Sequence, residues 1–145
     1  MIDLHNIPSV DLADFLSGDE SRKQKFVQEI GHAYEEIGFV AVKNHGLSDA
    51  KSAKLYEQVQ AFFNLPEDVK KKYELPGLAG QRGYTSFGKE HAKGRNTGDL
   101  KEFWHFGQYV EDNDPIGAQY PDNVDVEELP EFNTIGKEVY QTLEH

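Results

Sequence analysis

Ten residues, Gly38-Phe39-Val40-Ala41-Val42-Lys43-Asn44-His45-Gly46-Leu47, constrain the fold more than any other stretch of this chain. Gly38 suits the left-handed stop of a helix. A short apolar run follows it, and Asn44-His45-Gly46 breaks that run before a helix start at Ser48. A run this short, bounded by turn residues, reads as a strand, and its unbroken apolar character predicts cover on both faces. Two helices are therefore expected to meet at one buried strand.

The flanking sequence supplies those helices. From Ser21 to Ile37 the apolar residues Phe26, Val27, Ile30, Ala33, Tyr34 and Ile37 recur with the helical period. Ser48 is a good N-cap for a second helix running to about Asn64 and burying Leu55, Val59, Phe62 and Phe63. Asn64-Leu65-Pro66 then separates it from a short helix, Pro66 to Tyr73, because proline is tolerated at a first helical position and costly inside. Lys70-Lys71-Lys72 falls at the end of that helix, where positive charge suits the dipole, and reads as a capping face too short to suggest nucleic acid. Upstream, Ile7-Pro8-Ser9-Val10-Asp11-Leu12 alternates as a first strand with an edge-tolerated proline, and Asp14 to Asp19 reads as a turn or a single helical turn.

Downstream, two strands are expected, Gln81 to Phe87 and Lys101 to Phe106, joined by the long polar stretch Gly88 to Gly98. Alternation places Arg82, Tyr84 and Ser86 on one face of the first, and Glu102, Trp104 and Phe106 on one face of the second. Tyr109 to Pro130 is acidic and proline-punctuated, so irregular structure is expected there. A last helix, capped by Asn133 or Thr134, should carry Ile135, Val139 and Leu143 on one face. The fold class is α+β, and 145 residues fit one domain, spanning 1–145.

Charge narrows the function. A net charge of -11 disfavours nucleic acid and anionic lipid as partners. No apolar run approaches the length of a membrane span. The chain has no cysteine, which removes thiolate chemistry and fits a reducing compartment; cytoplasmic residence is the expectation. None of the six histidines has an acid two residues later, and no His-Glu-x-x-His pair occurs, so no catalytic residue and no metal ligand is assigned. His45 is read as a structural turn residue with Asn44 and Gly46, a general base being the alternative. Arg82 with Tyr84 suits a substrate carboxylate, because a guanidinium can bind both oxygens. The competing reading pairs Arg82 with a surface acid above a packed Tyr84. Glu90-His91 has no identifiable partner.

Several of these pieces, in order, resemble the N-terminal region of the isopenicillin N synthase-like iron(II)- and 2-oxoglutarate-dependent oxygenases. They are Ile7 to Leu12; Gly38-Phe39-Val40 running into Asn44-His45-Gly46; Phe63-Asn64-Leu65-Pro66 with Lys70 to Tyr73; Arg82-Gly83-Tyr84; and Lys101-Glu102-Phe103. The resemblance implies helices and short strands that complete a jelly-roll, or double-stranded β-helix, core lying mostly beyond these residues. It implies Fe(II) and 2-oxoglutarate in the parent enzyme and hydroxylation, desaturation or ring closure of a small-molecule substrate held in part by Arg82 and Tyr84. The family's His-x-Asp, distal His and Arg-x-Ser come later than anything present here. The expectation is thus an N-terminal segment, inactive alone, binding neither cofactor by itself and open to self-association through its core-facing surface. The alternative is a stand-alone acidic interaction module or small-carboxylate binder.

Overall fold

The computed structural model describes residues 7–89 and 98–144, which fall into two compact units, 1–47 and 48–145. Glu90-His91 lies outside the described residues.

In the first unit, strand β1 (Ser9–Asp11) leads directly into helix α1 (Leu12–Phe15), then helix α2 (Glu20–Glu36) and strand β2 (Ala41–Lys43). The two strands pair in parallel, with Val10 opposite Val42. Asp19 starts α2 by accepting hydrogen bonds from the Ser21 and Arg22 amides at 2.8 and 3.2 Å, and Arg22 reaches back to the Asp14 carboxylate. Gly38 ends the helix region at φ +81°. Among the described residues of this unit, the buried apolar ones are Val10, Phe26 and Ala33.

The expected buried strand is corrected by these positions. β2 is exposed along its length, Phe39 is 69% exposed, and Val27 and Tyr34 on α2 are exposed as well. Only the second half of the run, from Ala41, is strand; within this unit α2 covers β1 instead, and β2 has one strand neighbour among the described residues. Its apolar side chains therefore form an uncovered surface.

The turn after β2 joins the ends of the two strands. The Asn44 side-chain amide, in a left-handed backbone at φ 54°, donates to both Asp11 oxygens at 2.8 Å, and the Leu47 amide donates to His45 Nδ1 at 3.3 Å. The Asn44 bond, and then the Ala13 amide, hold the Asp11 carboxyl below the ordinary carboxylate value. Because its folded-state value is the lowered one, Asp11 contributes stability that is complete above the ordinary value and lost as pH falls through the folded one. Asn44→Ala is expected to move the Asp11 titration midpoint upward in a carboxyl NMR titration. Identical midpoints in the two proteins would contradict the assignment.

The second unit holds helix α3 (Asp49–Phe63), helix α4 (Glu67–Lys71), strand β3 (Gly83–Thr85), strand β4 (Phe103–His105) and helix α5 (Pro130–Glu144), with a 3-10 turn at Pro115–Gln119. Ser48 caps α3 as expected, accepting from the Lys51 amide. α3 and α5 run antiparallel, since Lys51 reaches Glu138 while Lys54, one turn on, reaches Glu131. β3 and β4 pair antiparallel with Tyr84 opposite Trp104. Phe62, Tyr73, Tyr84, Val126 and Phe132 form the buried centre.

α5 starts at Pro130, earlier than expected. Proline suits the first helical position, which frees Asn133 for another task. Its side chain accepts from the Val126 amide at 2.8 Å and donates to the Val126 carbonyl at 3.1 Å. Asn123 does the same for Gly107, at 2.7 and 2.9 Å. Two asparagine amides thus stand in for sheet partners and tie the irregular acidic segment to the core.

Candidate functional site

The β3–β4 hairpin carries the expected substrate-binding pair. Tyr84 is 1% exposed, and its phenol donates to Glu102 Oε2 at 2.5 Å. Burial, and then this acidic acceptor, push the phenol well above its ordinary pKa. Tyr84 therefore stays protonated at neutral pH and donates to Glu102. Arg82 is 8% exposed and bonds backbone, with Nε donating to the Pro121 carbonyl at 3.1 Å and Nη1 to its neighbour Gln81 at 2.7 Å. Its guanidinium lies where a Cβ on Gly107 would fall, 1.8 Å from Cζ, so a side chain there would displace the guanidinium from this position. The structure engages both side chains with protein groups and places them against different partners.

Lys70 is the residue the sequence misplaced. Expected only as one of three lysines capping a helix, it is 7% exposed. Its ammonium donates to Glu102 Oε2 at 2.7 Å and to the Phe63 carbonyl at 3.2 Å, and lies over the Tyr84 ring at 5.6 Å. The Glu102 oxygen thereby joins α4, β3 and the approach to β4, and the Lys70 ammonium adds the end of α3. A signal existed: Glu102 alternates with Trp104 and Phe106, and an acid on an apolar strand face requires a buried donor. Gly83 tightens the same junction, because a Cβ there, at φ +71°, would meet the Tyr73 carbonyl at 2.5 Å, which accepts from the Tyr84 amide.

Two openings flank the hairpin. One, of about 380 Å³, lies beneath the 75–80 loop and is lined by Leu75, Pro76, Phe103, Tyr84, Thr85 and Lys89, among others. Glu74 at its edge accepts from the Ser86 amide and hydroxyl at 3.2 and 2.9 Å. Burial pushes the Glu74 carboxyl up, and these bonds with the nearby Lys89 outweigh it, leaving the group below its ordinary value. The Thr85 hydroxyl is buried without a hydrogen-bond partner, a deficit of about 1–3 kcal/mol. The other opening, of about 470 Å³, is an apolar groove of α3, β4 and α5 whose lining includes Leu55, Val59, Trp104 and Val139. The Trp104 Nε1 is likewise buried and has no hydrogen-bond partner among the described residues.

Among the described residues no group of three or more His, Cys, Asp or Glu is placed to hold a metal ion. His45 serves its turn, His32 faces Glu36, and His105 Nδ1 meets the Gly80 carbonyl at 2.5 Å. No described helix is long and apolar enough to cross a membrane.

A family model described as non-haem dioxygenase in morphine synthesis N-terminal matches residues 7–131. The 2-oxoglutarate-dependent dioxygenase imqE of Aspergillus flavus is 29% identical, over 95% of this chain and 44% of that protein. The 2-oxoglutarate-Fe(II) type oxidoreductase ppzD of Metarhizium rileyi is also 29% identical, over 93% and 40%. Among solved structures, a 2OG-Fe(II) oxygenase family protein of Caulobacter crescentus matches with a TM-score of 0.76 at 33% identity, over 95% of this chain and 44% of that one. A Neurospora crassa protein solved in complex with alpha-KG and thymine matches in fold with a TM-score of 0.69 at 23% identity, over 94% and 43%. The chain spans under half the length of these relatives.

Proposed function

The chain belongs to the non-haem dioxygenase N-terminal family, and from that premise we propose that it is the N-terminal scaffold of an iron(II)- and 2-oxoglutarate-dependent oxygenase. The parent would act on a small organic molecule by hydroxylation, desaturation or ring closure. The observation that carries this reading is the family match over residues 7–131 in a chain that covers under half of each oxygenase relative. The junction at Glu102 supports it, because three separated motif pieces, around Phe63 and Lys70, Tyr84, and Glu102, meet at one oxygen.

The described residues do not fit a resident iron, since no cluster among them supplies three ligands. Iron and 2-oxoglutarate are accordingly assigned to a jelly-roll half of the parent. In this reading Arg82 and Tyr84 shape the wall beside the substrate by holding Pro121 and Glu102 in place. The apolar groove between α3 and α5 is a surface through which the isolated chain would self-associate.

Succinate formation from 2-oxoglutarate with added Fe(II) tests the proposal. The 145-residue chain is expected to give no more than the metal-only background. A polypeptide in which the reading frame runs on through a His-x-Asp, a later His and an Arg-x-Ser is expected to turn over. Stoichiometric iron kept by the shorter chain through dialysis, together with turnover, would overturn the reading.

A further inference from the structure

We propose that the cavity beneath the 75–80 loop binds a small monocarboxylic acid with an apolar body, its carboxylate directed to Thr85 and Lys89. The inference does not depend on the oxygenase reading, because it uses only residues of this chain. At about 380 Å³ the cavity lies within the size range of small-molecule sites, about 300–1,000 Å³. Leu75, Pro76 and Phe103 give it apolar walls.

Its polar groups are not equivalent. The Tyr84 phenol is committed to Glu102, and Glu74 Oε1 already accepts two bonds from Ser86. The Thr85 hydroxyl, on a residue only 8% exposed, has no partner. It lies against Gly80, at φ +75°, where a Cβ would come within 2.8 Å of Oγ1, so the loop can pack this closely on the hydroxyl only with a glycine there. Lys89 contributes the charge. Its ammonium stands 3.7 Å from Glu74 Oε2, beyond hydrogen-bond length, on a side chain 62% exposed, and can turn toward a ligand.

One buried hydroxyl donor and one mobile ammonium, set among apolar walls, complement a single carboxylate on an apolar body. A cationic ligand would meet Lys89 and find Glu74 already occupied. A phosphate would bring more charge than one lysine can balance in a chain of net charge -11.

Titration of the 15N-labelled chain with phenylacetate, followed by NMR, tests this. Saturable shifts are expected at the amides of Gly80, Thr85 and Phe103, with phenylacetamide binding more weakly. Thr85→Val, which removes the hydroxyl and keeps the shape, is expected to weaken phenylacetate about tenfold, and Thr85→Ser to retain it. Lys89→Met is expected to abolish the preference for the acid over the amide. Unchanged affinity in Thr85→Val, or shifts confined to surface lysines such as Lys51 and Lys54, would overturn the proposal.

Discussion

Glu102→Ala is expected to destabilise the folded chain by about 3–5 kcal/mol, the cost of leaving one member of a buried ion pair without its partner. The Lys70 and Glu102 side chains are 9% and 17% exposed, so solvent screens the pair little. After the substitution the ammonium keeps only the Phe63 carbonyl and two aromatic faces, and the Tyr84 phenol loses its acceptor. The pair itself need not be worth that much. Replacing it by Lys70→Met with Glu102→Gln removes both charges while leaving Tyr84 an acceptor, and most of the lost stability should return. Urea unfolding of the three proteins checks both halves. A loss in Glu102→Ala below about 1 kcal/mol, the range of a surface pair, would mean that Lys70 is not buried as described.

The same junction shows what was legible in the sequence. The helices at α2, α3 and α5 were readable because their period is local, and Ser48 announces its helix whatever surrounds it, while the cap expected at Asn133 or Thr134 is not where α5 starts. Alternation gave the two strands within wider bounds, Gln81 to Phe87 and Lys101 to Phe106, but nothing local announces that β3 and β4 pair. Lys70 was not, since three consecutive lysines look alike until tertiary contact buries one, and only Glu102, thirty-two residues on, distinguishes it. Asn123 and Asn133 carry turn and cap propensity, yet their bonds to Gly107 and Val126 depend on where the chain returns. The apolar run at 39–42 gave the strand but not its cover, because hydrophobicity records that a surface is to be buried without naming what buries it. Arg82 and Tyr84 were chosen by side-chain chemistry, and the structure adds that their polar ends are already bonded within the fold.

Phe62 offers the second large effect and separates a buried aromatic from an exposed one in the same chain. Its side chain is 0% exposed, with ring centroids 4.7 Å from Trp104, 5.1 Å from Phe132 and 5.9 Å from Tyr84. Phe62→Ala removes the ring from the middle of that cluster, and the surrounding aromatic rings, held by β3, β4 and α5, cannot close the gap. A loss of about 3–5 kcal/mol is expected, transfer and cavity terms together. Phe39→Ala, at a position 69% exposed, is expected to change stability by no more than about 0.5 kcal/mol. Trp104 is the sole tryptophan of the chain and touches Phe62, so its fluorescence reports the unfolding of this cluster directly. If Phe39→Ala cost as much as Phe62→Ala, the apolar run of β2 would have to be covered in solution, and the first unit would owe its stability to a contact outside residues 7–47.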